Sequence, residues 1–178
     1  MSPEQYLEWE SQQSTRHECL EGEVYPMTGF TPQHDQICRN VFNQLQAQLG
    51  ATTGQIYSLD TKIQILMESF LYPDIAVSSE AHDPQQLPAL QQPQMIIEVS
   101  SPETDAYDRG RKFAAYRKLA SLREYVLIDS RAIGLECFRH TADGAWIYQP
   151  YGPDSTVVLE SVQFSCPIAA LYATVEFL

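Results

Sequence analysis

Positive charge is scarce in this chain. Of its 178 residues only 11 are Lys or Arg, against 23 Asp or Glu, and the net charge is -12. Duplex binding is mostly neutralisation of phosphates by Lys and Arg. The balance therefore excludes a protein that coats nucleic acid without selectivity. It does not exclude one that cuts nucleic acid, because metal-binding sites are themselves acidic. No apolar run approaches the roughly 20 residues needed to cross a bilayer, so no membrane association is expected. The opening Met1-Ser2-Pro3-Glu4-Gln5-Tyr6 lacks the basic and apolar regions of a signal peptide, and a cytoplasmic location is expected. Glycine is sparse, eight in all, and fits turns. There is no Gly-rich loop to cradle phosphate, no nucleophile elbow and no zinc-type His pair. The four cysteines, at 19, 38, 137 and 166, form no Cys-x-x-Cys pair and no Cys/His cluster of zinc spacing. They read as buried free thiols.

What is present is a globular pattern. Hydrophobic residues make up 44% and charged residues 19%, and the length suits one domain over 1–178. Ser2 and Pro3 open a first helix to about Gln13. Gly22 divides the stretch from Glu18 to Met27 into a hairpin. Thr31 caps a second helix, in which Ile37, Val41, Leu45 and Leu49 recur every four residues and Gly50 is the stop. Strands are expected near 55–58, 62–67 and 72–77, followed by a polar loop over 78–94 long enough to carry a function. Met95 to Val99 is apolar on both faces and reads as a central strand. A helix from Thr104 or Asp105 to about Leu119 buries Phe113, Ala114, Tyr116 and Leu119. It leads to a strand at 124–129 in a β-α-β crossover. Strands at 133–138, 145–149 and 156–159 follow, with Asp143-Gly144 as a hairpin turn, and a last helical turn lies at 167–171. The fold class is α/β, a mixed sheet flanked by helices.

Two carboxylates stand out in the apolar strands. Asp74 follows Pro73, and Glu98 lies between Ile97 and Val99. A buried carboxylate is costly unless paired. Oxygen ligands from neighbouring strands suit Mg²⁺ or Mn²⁺, which polarises a scissile phosphate and activates water. Asp105, Asp108, Lys112 and Tyr116, spaced by three, four and four, share one helix face. That face is either a solvated Asp–Lys pair or one that brings an ammonium to the two carboxylates. Six of the eleven basic residues fall between Arg109 and Arg123. They form either a local phosphate-binding patch or a solvated face balanced by Glu103, Asp105 and Asp108.

Pro73-Asp74, Glu98-Val99-Ser100-Ser101-Pro102-Glu103-Thr104, then Asp108, Lys112, Tyr116 and Glu124-Tyr125 resemble the bacterial Uma-type restriction endonuclease family of the PD-(D/E)XK nuclease superfamily. The stretch from His17 through Met27, and His34, resemble its opening hairpin and following helix. The resemblance implies a restriction-endonuclease-like core, DNA as substrate and commonly a homodimer. It implies Asp74 and Glu98 as metal ligands. The superfamily places a Lys two positions after the Glu. Here that position is Ser100, and the Uma-type pattern moves the lysine to the next helix, as Lys112. The resemblance makes His34 a supporting residue beside Asp108 and Tyr116, while Glu18 and Glu21 read either as approaching the site from the hairpin or as solvated strand residues. The helix N-terminus is expected to depress protonation of His34. The expected activity is Mg²⁺- or Mn²⁺-dependent DNA endonuclease action. The alternative is a non-enzymatic interaction module on a nuclease-like scaffold, which the acidic charge favours.

Overall fold

A computed structural model describes residues 1–28, 30–49, 54–83 and 88–177. Helix α1 (Pro3–Glu10) starts from a capping box. Ser2 Oγ accepts the Gln5 N–H while Gln5 Oε1 accepts the Ser2 N–H. The helix stops short of the expected Gln13 because Glu10 turns inward. Its carboxylate, 1% exposed, accepts the His17 N–H and the Tyr72 hydroxyl, so the chain must double back there. Strands β1 (His17–Leu20) and β2 (Glu23–Pro26) then pair through a tight turn, with Glu21 and Gly22 both at positive φ.

Thr31 Oγ1 caps helix α2 (Pro32–Gln48) by accepting the His34 N–H. Ile37, Val41 and Leu45 are buried as the four-residue recurrence requires, and Leu49 is half-buried. Gly50, the expected stop, lies outside the described residues.

Strands β3 (Gln55–Ser58), β4 (Ile63–Ile65), β5 (Ser69–Leu71) and β6 (Ile75–Ser78) follow. The strand expected over 72–77 begins only at Ile75, as β6. Strand β5 belongs to a small sheet of order β2-β1-β5-β4, and β6 to a larger one. Between them Tyr72-Pro73-Asp74 forms a corner. Pro73 has no N–H to give a ladder. The Tyr72 N–H goes to the Glu18 carboxylate, and Asp74 accepts the Val99 N–H. Asp74 is therefore a corner residue just ahead of a strand. The loop expected over 78–94 begins while β6 is still paired. It buries Ala89 and Leu90, with Leu90 bridging Ile63, and its residues 84–87 lie outside the described set.

Strand β7 (Met95–Ser100) is buried throughout and sits inside the six-stranded sheet β10-β9-β8-β7-β6-β3. Its crossover to β8 (Glu124–Asp129) is made by helix α3 (Asp105–Tyr107), a π-helical turn (Asp108–Lys112) and helix α4 (Phe113–Tyr116). The uninterrupted helix to Leu119 is thus corrected on two counts. It is wider in the middle, and it ends at Tyr116. Ala115 is buried there and Ala114 exposed. Strands β7 and β8 run parallel, while their outer neighbours β6 and β9 (Leu135–His140) run antiparallel to them. Strand β10 (Trp146–Tyr151) forms the edge. Strands β11 (Thr156–Leu159) and β12 (Phe164–Pro167) make a separate ribbon before helix α5 (Ile168–Leu171). Strand β12, short and bearing Ser165 and Pro167, was not expected.

The large sheet has a core on each face, as period-two alternation demands. Ile97, Val99, Val126 and Ile128 pack with α2, the ribbon and α5. Ile96, Tyr125 and Leu127 pack with the crossover helix and with Leu20, Ile63 and Leu71 of the small sheet. The expected mixed sheet with flanking helices is the observed architecture.

Candidate active site

Strands β6 and β7 pair Ile75 with Ile97. One step further along that register Asp74 stands opposite Glu98, and residues directly opposite share a face. Both are buried, at 5% and 3% exposure. The Asp74 carboxylate is held from two sides. Oδ2 accepts the Val99 N–H at 2.7 Å, and Oδ1 lies 3.1 Å from His34 Nε2. Glu98 Oε1 lies 2.9 Å from Lys112 Nζ and accepts the Tyr116 hydroxyl at 3.1 Å.

Lys112 comes from the π turn and is as buried as the acids. Its three protons find three acceptors: Glu98 Oε1 at 2.9 Å, Glu18 Oε1 at 2.9 Å and the Tyr72 carbonyl at 3.2 Å. Glu18 also accepts the Tyr72 N–H. The backbone of the Tyr72 corner thus holds the ammonium and its counter-ion together, two residues from Asp74. A cavity of about 30 Å³ is bounded by Asp74, Glu98, Asp108, Lys112, His34 and Thr104. That room suits a water molecule or a bare cation, not a nucleotide. A neighbouring cavity of about 290 Å³, which Glu18, Asp108, Lys112, Tyr25 and Tyr107 line, provides the approach.

The electrostatics follow from crowding. Burial first, then Asp74, Asp108 and Glu18, push the Glu98 carboxyl well above the usual range, despite Lys112. Burial likewise raises Asp108 to about 6, although Lys112 and a hydrogen bond to Thr104 oppose it. Burial alone would lower Lys112, but Glu18, Glu98, Asp108 and Asp74 more than reverse this and hold it charged. For His34 burial again opposes protonation, yet Asp74 and Asp35 win and raise it. The expected depression by the helix N-terminus is therefore overturned, because two carboxylates at 3.1 and 3.3 Å outweigh a partial charge.

A family model described as "Uma2: Putative restriction endonuclease" matches residues 3–169. The chain belongs to that family. It is 30% identical over 178 residues to "Uncharacterized protein slr1290" of Synechocystis, covering 99% of this chain and 94% of that one. It is 31% identical over 147 residues to "Uncharacterized protein sll1609" of the same organism, covering 80% and 82%. Its fold is similar to a crystal structure from Anabaena variabilis described as "a putative nuclease belonging to DUF820". The TM-score is 0.78 at 15% identity, with 97% and 98% of the two chains covered.

Within this Uma2-family chain the sequence-predicted residues meet unequally. Asp74, Glu98, Lys112, Glu18, Asp108, His34 and Tyr116 are all buried around the same corner. Asp105 is not among them, since it pairs with Arg109 on the surface at 2.9 Å. Ser100 is buried and its Oγ has no hydrogen-bond partner among the described residues. The cation absent from that position comes to Glu98 from Lys112 instead. The basic cluster is largely spoken for. Arg109 pairs with Asp105 and Glu136, Arg111 with Glu23, Lys118 with Glu21, and Arg117 lies over the Phe113 ring. The balancing acids expected at Glu103 and Asp108 are replaced by acids of the β1–β2 hairpin and β9. Sequence reading missed the Tyr72 backbone, which leaves no residue-type signal, and Thr104 as a partner of Asp108. It also missed Cys38, for which the four-residue spacing from His34 on α2 was the available clue.

Proposed function

We propose that this chain is a DNA endonuclease that uses Mg²⁺ or Mn²⁺. The observation that carries the reading is the buried meeting of Asp74, Glu98 and Lys112 around one ion-sized cavity. The donor set fits a hard divalent cation. Glu18, Asp74, Glu98 and Asp108 are four buried carboxylates facing one ammonium and one imidazole. The acids outnumber the two basic groups, a surplus that a divalent cation would offset. Asp74 and Glu98 would hold it by oxygen.

When bound, the ion polarises the scissile phosphate and lowers the pKa of water. The remaining work falls to the chain. Lys112, kept protonated, cannot act as a base. With Glu98 engaged by the ion, the proton that Nζ gives Glu98 would turn to the attacking water or to charge developing on phosphate oxygen. Glu18 and the Tyr72 carbonyl hold Nζ in place, and Tyr116 fixes Glu98 Oε1. The water oxygen bonds to phosphorus, the bond from phosphorus to the 3′ oxygen breaks, and the leaving oxygen takes a proton from solvent. Asp108, near 6, takes the proton of the attacking water. A second copy of the chain would present a second site to the opposite strand. Four buried free cysteines fit a reducing cytoplasm.

The acidic charge and the engaged arginines favour a second reading, a nuclease scaffold that binds a protein partner without cleaving. Incubation with supercoiled and linear DNA in Mg²⁺ or Mn²⁺ decides between them. The expected result is nicking by the wild type and a loss of at least ~100-fold in Asp74→Asn, Glu98→Gln and Lys112→Ala. Cleavage retained by Asp74→Asn overturns the assignment. An inert wild type that takes up no Mn²⁺ selects the scaffold.

A further inference from the structure

We propose that His34, Cys38 and Asp74 form a second metal site, one for a borderline-soft divalent cation of the zinc class. Among the described residues they are the one group of three His, Cys or carboxylate donors whose ligand atoms lie within 4.8 Å of one another. Cys38 Sγ is 3.8 and 3.9 Å from the two ring nitrogens of His34, and His34 Nε2 is 3.1 Å from Asp74 Oδ1. Bonds of ~2.0 Å to N or O and ~2.3 Å to S place tetrahedral ligands roughly 3.3–3.6 Å apart. An ion would therefore open the direct contact between His34 and Asp74 by a few tenths of an ångström and draw Cys38 Sγ in toward both.

Each ligand is built in. His34 and Cys38 are one turn apart on the 17-residue helix α2, so they share a face by construction. Asp74 is fixed by the Val99 N–H at its other oxygen. Asp35 Oδ1 lies 3.3 Å from His34 Nδ1. That carboxylate accepts a hydrogen bond from Nδ1–H and leaves Nε2 as the ligand, the arrangement that orients metal-binding histidines. A cavity of about 400 Å³ reaches Cys38 and Asp74 from the side of Asp35, Arg39 and Asn43, while His34 faces the small cavity beside Glu98 and Lys112.

One sulfur, one nitrogen and one oxygen select zinc or cobalt over magnesium. On binding, the Cys38 thiol and the protonated His34 Nε2 each lose a proton to solvent, and the bonds from Sγ and Nε2 to the metal form with no change of oxidation state. The thiolate and the Asp74 carboxylate together neutralise the ion. Asp74 is then withdrawn from the face it shares with Glu98, so occupancy shuts off cleavage. That consequence rests on the endonuclease reading, whereas the site itself does not.

Cobalt is the probe. Titration of the whole chain with Co²⁺ is expected to give one equivalent with a thiolate-to-cobalt charge-transfer band and tetrahedral visible bands. Zn²⁺ displaces it and Mg²⁺ does not. The band disappears in Cys38→Ser and in His34→Ala and persists in Cys166→Ser and Glu98→Gln. A wild type without the charge-transfer band overturns the proposal and needs no variant to fold. A band unchanged in a folded Cys38→Ser protein also overturns it. A cobalt band in a protein that never cleaves DNA sinks the endonuclease reading and leaves this site standing.

Discussion

Replacing Lys112 by Met tests the electrostatics of the site most directly. The side chain keeps its approximate volume and loses its charge. Lys112 is 5% exposed and lies 2.9 Å from both Glu18 and Glu98. Removing one partner of a buried pair costs about 3–5 kcal/mol, because the other charge stays buried without it. Here two partners are stranded, yet burial and the neighbouring acids already raise the Glu98 carboxyl, so it takes up a proton more readily than an ordinary one. Glu18 keeps the Tyr72 N–H at 2.9 Å. The loss should therefore fall in the range for one pair rather than double it. A domain has about 5–15 kcal/mol in total, so the variant is markedly less stable. Glu98→Gln is the contrast. It keeps the shape, retains an acceptor for Tyr116 and relieves the crowding of four carboxylates. Its stability should lie within about 1 kcal/mol of the wild type, or above it. Urea denaturation followed by far-ultraviolet circular dichroism at pH 7, without divalent cations, measures both. If Lys112→Met loses less than about 1 kcal/mol, or Glu98→Gln loses as much as Lys112→Met, the ammonium does not hold this site together.

Asp108 should give the pocket an unusual pH dependence. Its carboxyl rises from 3.8 unfolded to about 6 folded, so the folded state binds more protons between those values and stability falls as pH rises through them. The shift corresponds to about 3 kcal/mol. The stability of Asp108→Asn relative to wild type should grow between pH 4 and 6 and level off above, and a flat difference refutes the burial argument. Gly54 has φ +143, and a Cβ there would lie 2.9 Å from Val77 Cγ1 and 3.0 Å from the Ser78 carbonyl. Gly54→Ala should lower stability by about 1–3 kcal/mol in the same assay, and an unchanged midpoint would show that β3 and β6 yield freely.

The parts of the fold that repeat were the parts legible in the sequence. The four-residue recurrence of α2, the doubly apolar β7 and the crossover to β8 each write their burial into local spacing. Strands of three or four residues do so unevenly: β3 and β11 were expected at their observed bounds, whereas β5 and β12 went unseen. Around Tyr72 an apolar run concealed a change of sheet, because hydrophobicity reports burial and not which ladder a residue joins. Asp74, Glu98 and Lys112 could be named from residue type in ordered motifs. The approach of Glu18 to Lys112 could not, since 94 positions separate them. Nor could charge counting reveal that hairpin acids engage Arg111 and Lys118. The four-residue spacing still brought Asp108, Lys112 and Tyr116 inward, whereas Asp105, three residues ahead of Asp108, points out.

The wider turn at Asp108–Lys112 acts as a phase adjuster on the screw of that crossover segment. A π turn holds one residue more than an α turn would at the same place. Gly110 within it is exposed, with open space where a Cβ would stand. Trimming that single position would let the coil tighten to ordinary pitch, and the segments on either side would stay nearly in phase, because the wider turn is where one surplus residue is absorbed. Asp108 and Lys112, which bracket Gly110, would then stand three positions apart instead of four. The surplus residue thus sets the interval between an acid and the ammonium of the centre, a matter of residue number as much as of residue type.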